Sequence, residues 1–341
     1  MIRVDDTYDA FLLESGGEEA CYDYFYQCRW PSGYRCPSCG HKDCYIISTR
    51  RLPLYECVHC RCQTSVTSGT ALEGTRTPLS KWLYAMKLLG RPAAGVNAVL
   101  LGKLLKVTYK TAYAMLDKIR HCLSLLPPEK LSGEIQAGIS VMGWTIDSGY
   151  ELTEKQHPIA VGISLDENGE PDRLAMMVVP RTHMMNYSLK PSGRDLFRET
   201  HFSDDADTLS NTIYHSQLLT IKRCRSLVSI YKASYKQING IYRGVHPRSL
   251  PKYLAEFTFR WNAAARNGNT GNCIGTSIST ITATSSSSVP NTSSSNSTSS
   301  STNTSSSKRT SVSSITSASI SISRQIAQAC MAYSLSHLAA A

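Results

Sequence analysis

The spacing of apolar residues changes character several times along this chain, and each change predicts a different element. Pro78 opens a stretch in which Leu79, Trp82, Leu83, Met86 and Leu89 recur every three or four residues, the period of an amphipathic helix of about a dozen residues. Past Gly90-Arg91-Pro92, two further helical stretches, Gly95–Leu101 and Tyr109–Arg120, flank a turn at Lys106-Val107-Thr108, where Thr108 is placed to cap the second. Val96, Leu100, Ala112, Leu116 and Ile119 are their predicted core. Continuous apolar runs at Pro158–Ser164 and Arg173–Val179 surround Asp166-Glu167-Asn168-Gly169 and read as a strand pair, because Asn-Gly favours hairpin turns. Nearer the N-terminus, Tyr45–Thr49 and Leu54–Cys57 are β-branched and aromatic runs joined by Arg50–Pro53, another hairpin.

From about residue 274 to 322 periodicity disappears into Ser and Thr with scattered Asn. Such a composition buries too little apolar surface to offset its ordering entropy, which predicts a disordered tail. Its sequons at Asn291, Asn296 and Asn303 admit a glycosylated stalk as an alternative. The pattern as a whole predicts an α/β multidomain chain. It has a helical lead-in at 1–30, a compact cysteine unit at 31–70, a helical region at 78–126, an α/β region at 131–266, the tail at 274–323 and a short helix of unknown role within 324–341.

The cysteine unit carries the clearest chemistry. Cys36-Pro-Ser-Cys39 and Cys57-Val-His-Cys60 are two Cys-x-x-Cys turns on either side of the hairpin. Two tight turns delivering four thiolates close a tetrahedral shell around zinc, so Cys36, Cys39, Cys57 and Cys60 are the expected ligands of a structural zinc ribbon. Unrelated free or disulfide-bonded cysteines are the alternative. Cys44, Cys62, His41 and His59 lie close enough to compete.

The 341 residues carry a formal charge of +10, which favours a polyanionic partner, nucleic acid above all. No apolar run is long enough to cross a membrane, and Met1–Asp6 lacks a secretory h-region. A reducing compartment is therefore expected: the nucleoid-bearing cytoplasm of a bacterium, or the nucleus of a eukaryote. The two short helices around Thr108 suit a helix-turn-helix whose second member enters the major groove of double-stranded DNA, with Tyr109, Lys110, Tyr113, Lys118 and Arg120 as its contacts. A helical linker with a solvated basic face fits the same pattern.

Several motifs together resemble the zinc-ribbon DDE-type transposases of bacterial insertion sequences, to which the eukaryotic Merlin elements are related. They are the cysteine pairs, Gln63–Thr70, Thr77-Pro-Leu-Ser-Lys-Trp82, Val107–Ala112 and, far downstream, Asn239–Val245 with Leu250, Tyr253, Glu256, Phe257, Arg260 and Asn262. The resemblance covers about residues 15 to 266. It implies a ribonuclease-H-like α/β core, with Pro158–Ser164 and Arg173–Val179 at the centre of its sheet beside a strand at Gly133–Gln136, holding two Mg²⁺ or Mn²⁺ ions between carboxylates for cleavage and strand transfer, acting as a homo-oligomer on transposon ends.

Against that pattern the catalytic positions depart. The family's first strand reads Gly-Glu-Val-Glu-Val-Asp-Glu, whereas this one reads Gly133-Glu-Ile-Gln-Ala-Gly138-Ile, leaving Gly138 where the first metal-binding Asp belongs. Asp147 could replace it only with a shifted strand register. Asp204 aligns with the second position and is the one catalytic residue carried over, although it also reads as part of a solvated acidic turn with Asp205 and Asp207. The third position falls within residues 221–232, which contain no carboxylate and no amide. Glu256 matches a structural position. The Ser/Thr tail starts soon after Arg260-Trp-Asn262, where the family stops, as if the reading frame ran into unrelated sequence. Three classes follow: a metal-dependent transposase with impaired catalysis, a catalytically dead DNA-binding derivative, and a zinc-ribbon protein-interaction module.

Overall fold

A computed structural model describes residues 7–91, 95–143, 152–205, 212–220, 224–266 and 322–332. The lead-in is two helices, α1 (Tyr8–Glu14), capped by Thr7, and α2 (Gly17–Arg29), entered through the left-handed Gly16. The ribbon follows as β1 (Cys44–Ile47), β2 (Leu54–Cys57) and β3 (Gln63–Ser65), an antiparallel sheet in that order. The hairpin is as expected and β3 is an addition. Its Thr64 and Ser65 turn inward, where hydroxyls rather than apolar groups fill the space, so hydrophobic alternation did not reveal it.

Three helices come next: α3 (Leu79–Leu89), α4 (Ala98–Leu105) and α5 (Tyr109–Ser124). All five apolar positions expected on one face of α3 are buried. Glu18 of α2 accepts from the free backbone N–H groups of Leu79 and Ser80 at 2.8 and 3.3 Å, closing the start of α3 with a carboxylate where the helix dipole favours one. Asn97 caps α4, accepting from Leu100 N, and Thr108 caps α5, accepting from Thr111 N. Leu100, expected in the core, is only half-buried; Leu101 and Leu105 take that place because the helix runs on to residue 105.

The ribbon and these helices are not separate bodies. Phe25, Trp30, Tyr55 and Cys57 belong to one apolar cluster with Trp82, Met86, Leu101, Leu116 and Ile119. The joint is aromatic: Tyr55 lies 5.3 Å from Trp30 and 5.6 Å from Tyr34, ring centre to ring centre, and its hydroxyl bonds that of Tyr22 at 2.8 Å.

A mixed sheet follows, of β4 (Glu134–Gly143), β5 (Gln156–Leu165) and β6 (Pro171–Val178), then a small hairpin of β7 (Met184–Met185) and β8 (Ser188–Leu189), helix α6 (Pro191–His201) and strand β9 (Thr212–Leu218). The order is β6-β5-β4-β9, the first three antiparallel and β9 parallel to β4 after the α6 crossover. β6 is therefore an edge, whereas it was expected at the centre. The strand begun at Glu134 is longer than its first residues indicated. Helix α7 (Arg225–Ile241) and helix α8 (Leu250–Ala265) cover one face of the sheet with Leu227, Ile230, Leu254, Phe257 and Trp261. Phe197, Leu189 and Phe202 cover the other.

A last helix at residues 322–332 (α9) lies far from this region in sequence. Its Ile322, Ile326, Ala327, Cys330 and Met331 join the N-terminal apolar cluster, and Cys330 O accepts from Ala71 N at 3.1 Å. The Ser/Thr stretch up to residue 321, with its three sequons, lies outside the described residues, as do residues 333–341.

Candidate metal centre and nucleic-acid interface

Two equivalent turns build the metal centre. In the first, Cys36 N donates to His41 O and Gly40 N to Cys36 O, both at 2.9 Å; in the second, Cys57 N donates to Cys62 O and Arg61 N to Cys57 O, both at 3.0 Å. The residue after each pair, Gly40 or Arg61, takes a left-handed φ of 73° or 59°, which bends the backbone so that both sulfurs face inward. The ligand atoms of Cys36, Cys39, Cys57 and Cys60 lie within 4.8 Å of one another. Cys36–Cys60 and Cys39–Cys57 are separated by 3.5 and 3.6 Å, Sγ to Sγ. A tetrahedron with Zn–S bonds of about 2.3 Å has edges of about 3.8 Å, so the donor set fits zinc.

The electrostatics agree. Burial opposes charge on Cys36, but backbone donors at Cys39 and Ser38 and the neighbouring thiols bring it down to about 6. Cys39 is favoured as a thiolate by the backbone of His41, yet its hydrogen bonding with Cys60, Cys57 and Cys36 pushes it up to about 12. Four thiolates at this spacing are mutually compatible only around a cation. Cys44 and Cys62 stay outside the four-sulfur group, and His41 pairs with Asp43 at 3.2 Å.

The residues expected to face DNA from a helix-turn-helix divide. Tyr109 and Tyr113 are 60% and 43% exposed, stacked at 6.2 Å, and Lys110 and Lys118 are exposed on the same helix. Arg120 is a correction: it is 2% exposed, points into the protein and binds Glu256 Oε2 through Nε at 2.6 Å, Tyr253 OH at 3.3 Å and Val96 O at 3.1 Å. The helical period places it one turn beyond Leu116, on the inner face. Glu256 also accepts from Arg260 at 3.2 Å and from Tyr242 OH at 2.8 Å. Burial disfavours its charge, but the two guanidiniums outweigh that and hold its carboxyl below the ordinary value.

Of the three positions expected to hold divalent ions, Asp204 alone carries a carboxylate. Gly138 sits inside β4, opposite Val161 on one side and His215 on the other. Just after it the β4–β9 register slips, Ile139 pairing with Leu218, and this bulge throws Leu219 across the sheet. A Cβ added at Gly138 would lie 2.5 Å from Leu219 Cδ2 and 3.2 Å from His215 Cβ. Asp204 is exposed in the loop after Phe202, which bridges Leu131, ahead of β4. On α7 the third position is filled by residues such as Leu227, Val228 and Ile230, all buried, while Cys224 donates to Gln136 Oε1 at 3.0 Å. Asp147 and Asp207 lie outside the described residues. Among the described residues the four cysteines are the one group of three or more His, Cys, Asp or Glu able to share an ion.

Residues 16–63 match the family model of a transposase zinc-ribbon domain, which takes in α2 as well as the cysteine turns. No curated protein and no solved structure matches the chain. Among the described residues no helix is long and apolar enough to cross a membrane.

Proposed function

We propose that this chain is a transposase-derived protein that binds double-stranded transposon-end DNA through its zinc ribbon and a helix-turn-helix at α4–α5, and that its strand-cleaving centre is impaired. The observation that carries the reading is the shared apolar core of a transposase zinc-ribbon domain and the α3–α5 helices, which fixes the exposed Tyr109, Lys110, Tyr113 and Lys118 relative to the metal centre. Lysines neutralise phosphates, and exposed tyrosines suit contacts to sugar and phosphate groups. The exposed Arg50 and Arg51 add positive charge on the ribbon, whereas Arg61 is paired with Glu56 at 3.2 Å.

The sheet order β6-β5-β4-β9, with a parallel fourth strand, supports a ribonuclease-H-like core. Impairment rests on Gly138 and on Leu219 beside it, since two-metal chemistry needs converging carboxylates. The test uses purified protein and the DNA ends flanking its own gene, with Mg²⁺ or Mn²⁺. We expect binding that weakens steeply with salt, without cleavage or strand transfer. Cleavage that disappears in Asp204→Ala would show a working transposase. Absence of salt-dependent DNA binding would favour a protein-interaction module.

A further inference from the structure

The region between the sheet and the helical unit holds a cavity of about 650 Å³ that the DNA-binding reading does not use. It is lined by strand β6, by α8, by the end of α5 and by α9. The volume lies within the range of sites for small organic molecules, and its place between structural units is one such sites favour. Leu126, Met176, Leu254, Phe259 and Ala329 give it an apolar lining.

Its polar character is specific. Asn262 of α8 acts on β6 as a substitute strand, accepting from Leu174 N at 2.8 Å and donating to Leu174 O at 3.0 Å. Both main-chain groups of Leu174 therefore point away from β5. Alternation along an antiparallel strand turns the N–H and C=O of Met176 the same way, one position farther along the open edge and within the cavity lining. This gives one donor and one acceptor side by side. The two charged residues of the lining, Glu129 and Arg266, neutralise each other at 2.9 Å, so the cavity offers no unpaired charge to an ion.

We propose that this cavity binds an uncharged, mainly apolar small molecule carrying a group that both donates and accepts, such as a primary or secondary amide, which pairs with the open main-chain groups of Met176. Apolar burial supplies the affinity and the edge pairing supplies the selection for an uncharged polar head.

Zinc-loaded full-length protein titrated with Nile red, an uncharged fluorescent probe, tests this. Saturable one-to-one binding is expected, with octanamide displacing the probe at least tenfold more effectively than octanoate. Ala255→Trp on α8 and Ala332→Trp at the end of α9 fill the cavity from two walls and should each weaken binding at least tenfold. Only variants that keep the wild-type zinc content and unfolding temperature are scored, and the exposed position of Ala332 makes its variant the one expected to fold unchanged. Non-saturable probe uptake, equal displacement by octanoate, or wild-type affinity in a correctly folded variant would each overturn the proposal.

Discussion

Arg120 Nε and Glu256 Oε2 meet at 2.6 Å with both side chains buried, joining the helix that carries Tyr109 and Lys110 to a helix more than a hundred residues downstream. The pair is completed by Arg260 and Tyr242 on the carboxylate and by Tyr253 and Val96 O on the guanidinium. Removing one partner leaves a buried charge uncompensated. Glu256→Ala should therefore cost about 3–5 kcal/mol in denaturant unfolding, whereas the double change Arg120→Met with Glu256→Leu should cost less than Glu256→Ala alone. A Glu256→Ala protein with wild-type stability would remove this account.

The same relationship separates two kinds of basic residue on α5. Lys110→Ala with Lys118→Ala should weaken DNA binding across sequences and reduce the slope of log affinity against log salt by about 1.8, without altering stability. Arg120→Ala should lower stability first. Fluorescence anisotropy over a salt series, with unfolding curves alongside, distinguishes them; an unchanged slope in the double lysine variant would take α5 off the DNA.

Zinc removal should reach well beyond the ribbon. Trp30 and Tyr55 tie the metal-bearing turns to α2 and to the cluster containing Trp82 and Met86. A strong chelator should release one zinc per chain and shift tryptophan emission to the red as these buried rings meet water. Cys57→Ser, at a buried ligand, should reproduce the shift without chelator.

At Gly138 a Cβ would lie 2.5 Å from Cδ2 of the half-buried Leu219, which must shift to admit a side chain. Gly138→Asp should destabilise by about 1–3 kcal/mol through overpacking and should not create cleavage, and adding Leu219→Ala should recover much of the stability. Cleavage by Gly138→Asp alone would show that the other ligands exist after all.

His201 is one source of acid sensitivity. Burial, assisted by Lys130, lowers it from 6.5 to about 4, so the folded protein keeps it neutral while the unfolded chain takes a proton. Stability from this group is complete above about pH 6.5 and is lost as pH falls toward 4. Thermal unfolding at pH 7 and pH 5 should show a smaller drop for His201→Gln than for the wild type; the difference cancels the acid release of zinc common to both.

Local chemistry was legible in the sequence; long-range pairing was not. The cysteine turns, the Thr108 cap and the stripe from Leu79 to Leu89 depend on residues within a few positions of one another, and each lies where its spacing predicts. Arg120 looked like a DNA contact because its partner, Glu256, belongs to another region of the chain. Gly138 was visibly the wrong residue for a metal ligand, but the bulge that brings Leu219 against it exists only once β9 has paired with β4. The docking of α9 was equally hidden, since the room for Ile322 comes from Gly90, where a Cβ would sit 2.9 Å from Ile322 Cγ2.

That docking gives the chain an unusual order of completion. The helices from α1 to α5 leave the ribosome early, yet the groove over Ala71, Gly90 and Cys122 is filled by residues 322–332. At about 5–20 residues per second, the roughly 200 residues between α5 and α9 take about 10–40 s to synthesise. For that interval the α1–α5 unit carries an open apolar seam, and a message cut short before codon 322 would yield a protein whose zinc and helices are present but whose core over Ala71, Gly90 and Cys122 never closes.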